Sequence, residues 1–265
     1  MEKIPCSVEI LTRNSARTIA RCLESVAEFD NVIVLDGGST DQTREIAEYF
    51  GARVLDQQDQ QGRDQPITDF SAVRNRGLQA AREEWFLYLD SDEYLSPESV
   101  REIRSLVASV LPSAFVWRMP RMYVHGGRVI SCSLGYPNTQ TRFFHRSHVR
   151  EFIKAVHERI DAGPEETIAT LRHPTYVPLA SVGELRKKAK QYLAMEDLRM
   201  TGLSRKVIAR KIWHTALVLV RNAIHVRKVI VCRGRRLPFI YEWLRFEYHL
   251  KLLALLVRRL VTGRR

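Results

Sequence analysis

Trp85 to Leu95, WFLYLDSDEYL, constrains the chain more than any other stretch. Five consecutive apolar residues, Trp85 to Leu89, run straight into the acids Asp90, Asp92 and Glu93. An apolar run of that length suits a strand buried on both faces, which is the habit of parallel sheets. In an open parallel sheet the carboxyl ends of the strands border the ligand crevice, so the acids fall where ligands bind. If the chain stays extended, Asp90 and Asp92 point to one side and can share a ligand. Such hard oxygen donors suit Mg²⁺ or Mn²⁺, which take one or two carboxylates plus substrate phosphates. The competing reading is a strand spilling into a solvated turn, with Ser96-Pro97 and Glu98 opening the next helix.

The flanking pattern supports a sheet. Ser7–Leu11 and Asn31–Leu35 read as buried strands, Arg53–Leu55 as a short third, with helices at about 16–28, 42–50 and 70–82. This alternation predicts an α/β fold whose sheet is mostly parallel and Rossmann-like, with right-handed crossovers. Asp56–Pro66 is polar and aperiodic, a surface loop. After a helix reaching about Val110 the pattern changes: 114–123 and 128–133 form a hairpin across His125-Gly126-Gly127, with further strands at 141–145, 156–160 and 168–171. From about Ser181 the chain reads as helical, broken near Thr201-Gly202 and Gly234–Pro238. We therefore expect an α/β domain over residues 1–182 and a basic, amphipathic helical appendage over 183–265.

Charge separates the same two regions. The formal net charge is +12, but residues 1–182 hold 21 Lys/Arg against 25 Asp/Glu, and residues 183–265 hold 21 against 5. Such a tail can meet nucleic acid, an anionic membrane or an acidic partner. No nucleic-acid reader motif accompanies it, so nucleic acid is the weakest of the three. Two apolar seams recur at helical spacing, Ile208, Ile212, Ala216, Leu219, Ala223, Val226, Ile230 and Phe239, Trp243, Phe246, Leu250, Leu253, Val257, Leu260. The seams can pack on each other or on the rest of the chain, whereas their basic flanks are those of helices lying on anionic lipid. The longest uncharged apolar window in the tail, Ile212–Val220, is half of the roughly 20 residues a spanning helix needs. No secretory leader is visible at the start. The four cysteines, Cys6, Cys22, Cys132 and Cys232, have no metal-ligand spacing and are expected as free core thiols of a reducing compartment.

DGGSTD after the second strand is a ligand-type loop, with Asp36 at the strand end and Asp41 placed to cap the next helix. Taken in order, LTRN, VIVLDGGSTD, FSAVRNRGLQAAREEWFLYLDSDE, YPNTQTRFFHR, AVHER and LRHPTY resemble the inverting nucleotide-sugar glycosyltransferases of family 2, which have the A-type glycosyltransferase fold. The bacterial enzymes of lipopolysaccharide core and other envelope glycans are the nearest subgroup. The resemblance covers about residues 7–192.

That resemblance implies a set of roles. Thr12 and Asp36 would flank the nucleoside. Arg74 and Asn75 would hold donor phosphate or sugar, a task for which a guanidinium is suited. Asp92 would ligate Mn²⁺ or Mg²⁺ directly, Asp90 through water or by contacting ribose, and His173 would add a further metal contact. Glu158 would be the base that takes the acceptor's proton. Gln140 and Arg142, two apart on a strand, would share one face near the donor sugar and acceptor entrance. Glu93 would be a structural acid.

Two departures stand out: Ser15 follows Asn14 where the family usually has glutamate, and His157 replaces the first acid of a commoner acidic pair. The implied activity is metal-dependent sugar transfer from a nucleoside diphosphate sugar, UDP first, to a hydroxyl of an envelope glycan or lipid-linked acceptor, peripherally on the cytoplasmic face of the membrane. The alternative is a catalytically silent nucleotide-binding scaffold at the membrane.

Overall fold

The computed structural model describes residues 2–58, 67, 69–155 and 158–262, which divide into two compact units. The first comprises residues 1–122 and 137–178 and the second residues 123–136 and 179–265.

The first unit opens with β1 (Ile4–Thr12), α1 (Ile19–Ser25), β2 (Phe29–Asp36), α2 (Thr43–Tyr49), β3 (Arg53–Asp56), α3 (Phe70–Ala80) and β4 (Trp85–Asp90). These strands lie parallel in the order β3-β2-β1-β4. Then come β5 (Tyr94–Leu95), α4 (Pro97–Val107), β6 (Val116–His125), the second unit's β7 (Arg128–Val129), β8 (Thr139–His145), β9 (Phe152–Ile153), β10 (Arg159–Ile160), β11 (Ile168–Thr170) and β12 (Thr175–Pro178).

Here the expectation of a mostly parallel sheet needs correction. β8 runs antiparallel to β4, and β6 antiparallel to β8, so the sheet is mixed. Apolar alternation reports burial but carries no strand direction, which is why the antiparallel pairing of β8 with β4 and β6 was not visible. The hairpin turn is as expected: β6 pairs with β7 across Gly126 and Gly127, both at positive φ (56° and 72°), the backbone a tight two-residue turn demands. Of the expected strand at 156–160, only β10 is seen, Val156 and His157 lying outside the described residues.

Both faces of the parallel half are covered. Ile4, Cys6, Val8 and Ile10 of β1 and Trp85, Leu87 and Leu89 of β4 pack with Ile19 and Leu23 of α1 and Val100 and Ile103 of α4. On the other face Phe86 and Tyr88 meet Phe144 and Phe152, and Ile33 and Leu35 meet Val73 of α3. Alternation along β4 therefore sends Tyr88 and Asp90 toward the face covered by α3.

The second unit holds α5 (Val182–Arg199), α6 (Arg205–Val231) and α7 (Phe239–Thr262) with the hairpin residues 123–136. α5 starts in a full capping box, Ser181 and Glu184 bonding each other's backbone N–H. The packed face of α7 is Leu252, Leu255, Leu256 and Leu260 against Ile208, Ile212 and Met200. Much of the other apolar line, Phe239, Trp243, Leu250 and Val257, is exposed. α7 is apolar on more than one side, so spacing alone picked out a seam that lies largely in solvent. A second correction concerns cysteine. Cys6 and Cys22 are buried free thiols, but Cys132 and Cys232 form a disulfide. Their Cα atoms lie 6.2 Å apart although 100 residues separate them in sequence, a proximity no spacing rule reveals.

Candidate active site

Glu9 of β1 lies in register with Tyr88 of β4 and beside it on the α3-facing side. A buried carboxylate inside an apolar strand needs a cation, and α3 supplies Arg74. Its Nη1 meets Glu9 Oε1 at 2.7 Å, its Nη2 meets Asp90 Oδ1 at 2.7 Å, and its Nε lies 3.6 Å from Glu158 Oε1. Only 1% of Arg74 is exposed. Gly77, one turn on, leaves room for Glu9: a Cβ there would come within 1.8 Å of Glu9 Oε2.

A second guanidinium completes the arrangement. Arg142 of β8 donates to Asp90 Oδ2 at 2.9 Å and to Glu93 Oε1 at 3.3 Å. Arg121 of β6 also bonds Glu93. Both arginines lie over the Tyr88 ring, Arg74 at 4.8 Å and Arg142 at 4.7 Å from its centroid. Between Trp117–Phe143 and Arg118–Thr141 the β6–β8 register slips, leaving Arg142 as the extra residue of a bulge. Bulges re-aim side chains in this way.

The electrostatics follow from burial. Burial pushes the Glu9 carboxyl up to about 7, with Arg74 opposing. Glu93 is likewise raised by burial, against Arg142 and Arg121. For Asp90, burial alone would raise the pKa, but Arg142 and Arg74 outweigh it and hold the carboxyl well below the usual range. Both arginines are held charged: burial would lower their pKa values, and Glu9 and Asp90 for Arg74, or Asp90 and Glu93 for Arg142, raise them further.

Asp90, Gln140, Arg142 and Glu158 line one cavity of about 650 Å³, with Tyr88 and the 160–164 segment. These four belong to three separate stretches of sequence, and the fold brings them to one place. Glu93 lies buried behind it as an ion-pair partner rather than at a solvated turn. Asp92 is exposed. The chain does not stay extended past Asp90: Glu93 N–H bonds the Asp90 carbonyl at 2.9 Å, closing a turn, so the shared face expected for Asp90 and Asp92 is not formed by strand alternation.

The remaining residues stand elsewhere. Thr12 and Asp36 are register partners at the carboxyl ends of β1 and β2 and are not among the cavity's lining residues. Asp36 is buried and folds its own loop, accepting from Gly38 N–H (3.2 Å), Ser39 N–H (3.0 Å) and Arg44 (3.1 Å). Asp41 accepts from Thr43 N–H at the start of α2 and from Ala16 N–H at 3.1 Å each. Asn75 clamps the Phe152 backbone, donating to its carbonyl (3.0 Å) and accepting from its N–H (2.7 Å). His173 binds Glu102 through its backbone N–H. His157 lies outside the described residues.

Three structural residues escaped sequence reading. Glu9 could have been found, because an acid within IPCSVEILT demands a buried cation. Arg121 and Gln57 carry no comparable signal; Gln57 ties the Thr12 and Leu35 carbonyls at 2.8 and 2.9 Å.

The first unit is thus an α/β fold with a polar, charge-dense cavity beside the carboxyl end of a parallel strand, the placement of a ligand site in such sheets. Residues 7–110 match the family model "Glycosyl transferase family 2". That segment is similar to family 2 glycosyltransferases, and the match supports a transferase. It includes Asp90 and Asp92 but stops short of Gln140, Arg142 and Glu158. A TPR repeat-containing protein of Synechococcus elongatus is 35% identical over 156 residues, 58% of this chain and 35% of its own. An uncharacterized glycosyltransferase of Rickettsia felis is 38% identical over 110 residues, 41% of this chain and 35% of its own. Among solved structures, S. aureus TarS is 20% identical, overlapping 78% of this chain and 44% of its own with a TM-score of 0.47. The matched region spans about a third of the length of those two curated relatives.

Proposed function

We propose that the chain is a metal-dependent inverting glycosyltransferase that moves a sugar from a nucleoside diphosphate sugar, UDP-linked, to a hydroxyl of a cell-envelope glycan or lipid-linked acceptor. The observation that carries this reading is the shared cavity of Asp90, Gln140, Arg142 and Glu158, assembled from β4, β8 and the segment before β10.

Inversion in one displacement needs a carboxylate that takes the proton of the attacking hydroxyl as the anomeric carbon becomes cationic. Glu158 fills that role, steadied by Arg74 at 3.6 Å. Gln140 orients sugar hydroxyls. Arg142, fixed by Asp90 and Glu93, offers a permanent positive charge to the departing diphosphate. Asn75 acts indirectly, pinning β9 and so one wall of the cavity. Thr12 and Asp36 serve the nucleoside through the loop that Asp36 folds.

No three His, Cys, Asp or Glu side chains converge as a metal cage among the described residues. An exposed carboxylate such as Asp92 still fits Mg²⁺ or Mn²⁺, which draw much of their shell from water and substrate phosphates. Asp92 would hold the cation; Asp90, whose two carboxylate oxygens meet Arg74 and Arg142, and His173 do not converge with it into a three-residue set. When bound the cation neutralises charge on the leaving nucleoside diphosphate.

The second unit suits work at the cytoplasmic face of a membrane. Along α6, Trp213, Leu217, Val220 and Ile224 form an exposed stripe, Trp213 being 67% exposed. Arg210, Arg221 and Lys228 flank it at helical spacing. Among the described residues no helix is long and apolar enough to cross a membrane.

A thermal-shift screen of UDP-, GDP-, CMP- and dTDP-sugars tests the reading. A UDP-sugar should raise the midpoint by several degrees with Mn²⁺ and much less after chelation or in Asp92→Asn. A screen in which no nucleotide sugar shifts the midpoint contradicts it.

A further inference from the structure

We propose that the second unit contains a binding site for the anionic headgroup and first part of the hydrocarbon chain of a lipid phosphate. A cavity of about 590 Å³ lies wholly within that unit. This is within the range of about 300–1,000 Å³ typical of sites for small organic ligands. Its interior is apolar and aromatic: Leu185, Ala189 and Leu193 of α5 face Leu244 and Tyr248 of α7. Residues 185, 189 and 193 repeat every fourth position, so one side of α5 supplies the wall.

The same lining carries Arg186, Lys190, Arg245 and Lys251 against one acid, Glu247. Glu247 is already paired with Lys251 at 2.5 Å. Lys190 and Arg245 form no ion pair among the described residues; Arg245 only donates to the neutral Tyr123 hydroxyl at 3.3 Å. A half-buried guanidinium and an exposed ammonium line this hydrocarbon-walled cavity with no carboxylate paired to either among the described residues; the buried Glu242, one turn before Arg245, accepts from Leu134 N–H. The complementary ligand has an apolar chain and a compact multivalent anion, and a guanidinium matches phosphate oxygens through paired hydrogen bonds. A carbohydrate would waste the leucine wall, and inorganic phosphate would leave it empty.

The site adds to the proposed transferase reading by naming the lipid part of the acceptor, and rests on it for that role though not for binding itself. Calorimetry on the full chain with farnesyl phosphate kept below its aggregation concentration tests it. We expect one molecule bound per chain, binding at least tenfold weaker for farnesol, and no detectable binding of inorganic phosphate. Ala189→Trp, which fills the cavity, should abolish binding. Lys190→Gln with Arg245→Gln should weaken farnesyl phosphate at least tenfold while leaving farnesol unchanged. Equal affinity for farnesol and farnesyl phosphate, or full binding by the double variant, overturns the proposal. The thermal shift by UDP-sugar, read on the same variants, should be unchanged, so failure of the lipid site and failure of the transferase reading are separate results.

Discussion

In the α/β unit, Arg74, Arg121 and Arg142 are sunk among Glu9, Asp90 and Glu93, and each guanidinium has a carboxylate assigned to it. In the helical unit basic residues lie on the surface beside exposed apolar side chains such as Trp213 and Phe239. The same residue types serve opposite physics. Taking an ion out of water costs several kcal/mol, repaid only when geometry and hydrogen bonding are good, so buried arginines mark a place where position matters more than stability. Exposed cations cost little and are screened, so they contribute through their number and through the surface they face.

Removing a partner from the buried set should have the largest effect. Arg74→Met leaves Glu9 and Asp90 facing each other without their shared cation, and urea unfolding should show a loss of about 3–5 kcal/mol. The same change at Arg210 of α6 should cost less than about 0.5 kcal/mol. Equal costs would erase the distinction between the units.

The pH dependence of stability isolates Glu9. Its folded-state pKa of about 7 lies above the unfolded value of about 4.3, so the folded chain binds this proton more tightly. Stability should therefore fall as pH rises from about 4.3 to about 7, by about 3–4 kcal/mol, and be flat above. Asp90 has the opposite sign: its contribution is present above about pH 4 and lost as pH falls further. Denaturation at a series of pH values should show Glu9→Gln flattening the slope between pH 4.3 and 7 except for the share of Glu93, which is also raised.

Gly77→Ala sharpens the same contrast, because the added methyl meets a buried carboxylate rather than solvent. A loss of about 1–3 kcal/mol is expected, and replacing exposed Gly202, where no atom lies within 4 Å, tests backbone strain alone. The smallest effect on stability belongs to the helical surface. Arg210→Glu with Arg221→Glu should leave the unfolding midpoint nearly unchanged, yet cut binding to vesicles of anionic lipid at least tenfold, since each basic residue near such a surface contributes about 1 kcal/mol. Vesicle binding indifferent to these changes would remove the membrane role.

What the sequence disclosed tracks the range of the interactions. The βα repeats of residues 4–90 are local and were readable, as was Asp90 at a strand end. The antiparallel half depends on pairing β8 with β4 and β6, contacts whose direction leaves no trace in alternation. Gln140 and Arg142 were expected to share a strand face; both line the cavity, but the bulge that places Arg142 depends on a register slip against Arg118. Asn75 sits beside Arg74 in the sequence, yet one serves a backbone clamp and the other an ion network, a division made by Phe152, Glu9 and Asp90. The disulfide was hidden because one cysteine follows a hairpin and the other ends a helix.

The central claim is that the cavity beside Asp90 carries out sugar transfer with Glu158 as its base. The direct measurement is turnover of the UDP-sugar picked out by thermal shift, with Mn²⁺, in the unaltered chain and in Glu158→Gln, alongside UDP affinity by calorimetry. Turnover should fall about 10²–10⁴-fold while UDP affinity stays within about threefold. Undiminished turnover in Glu158→Gln would contradict the account.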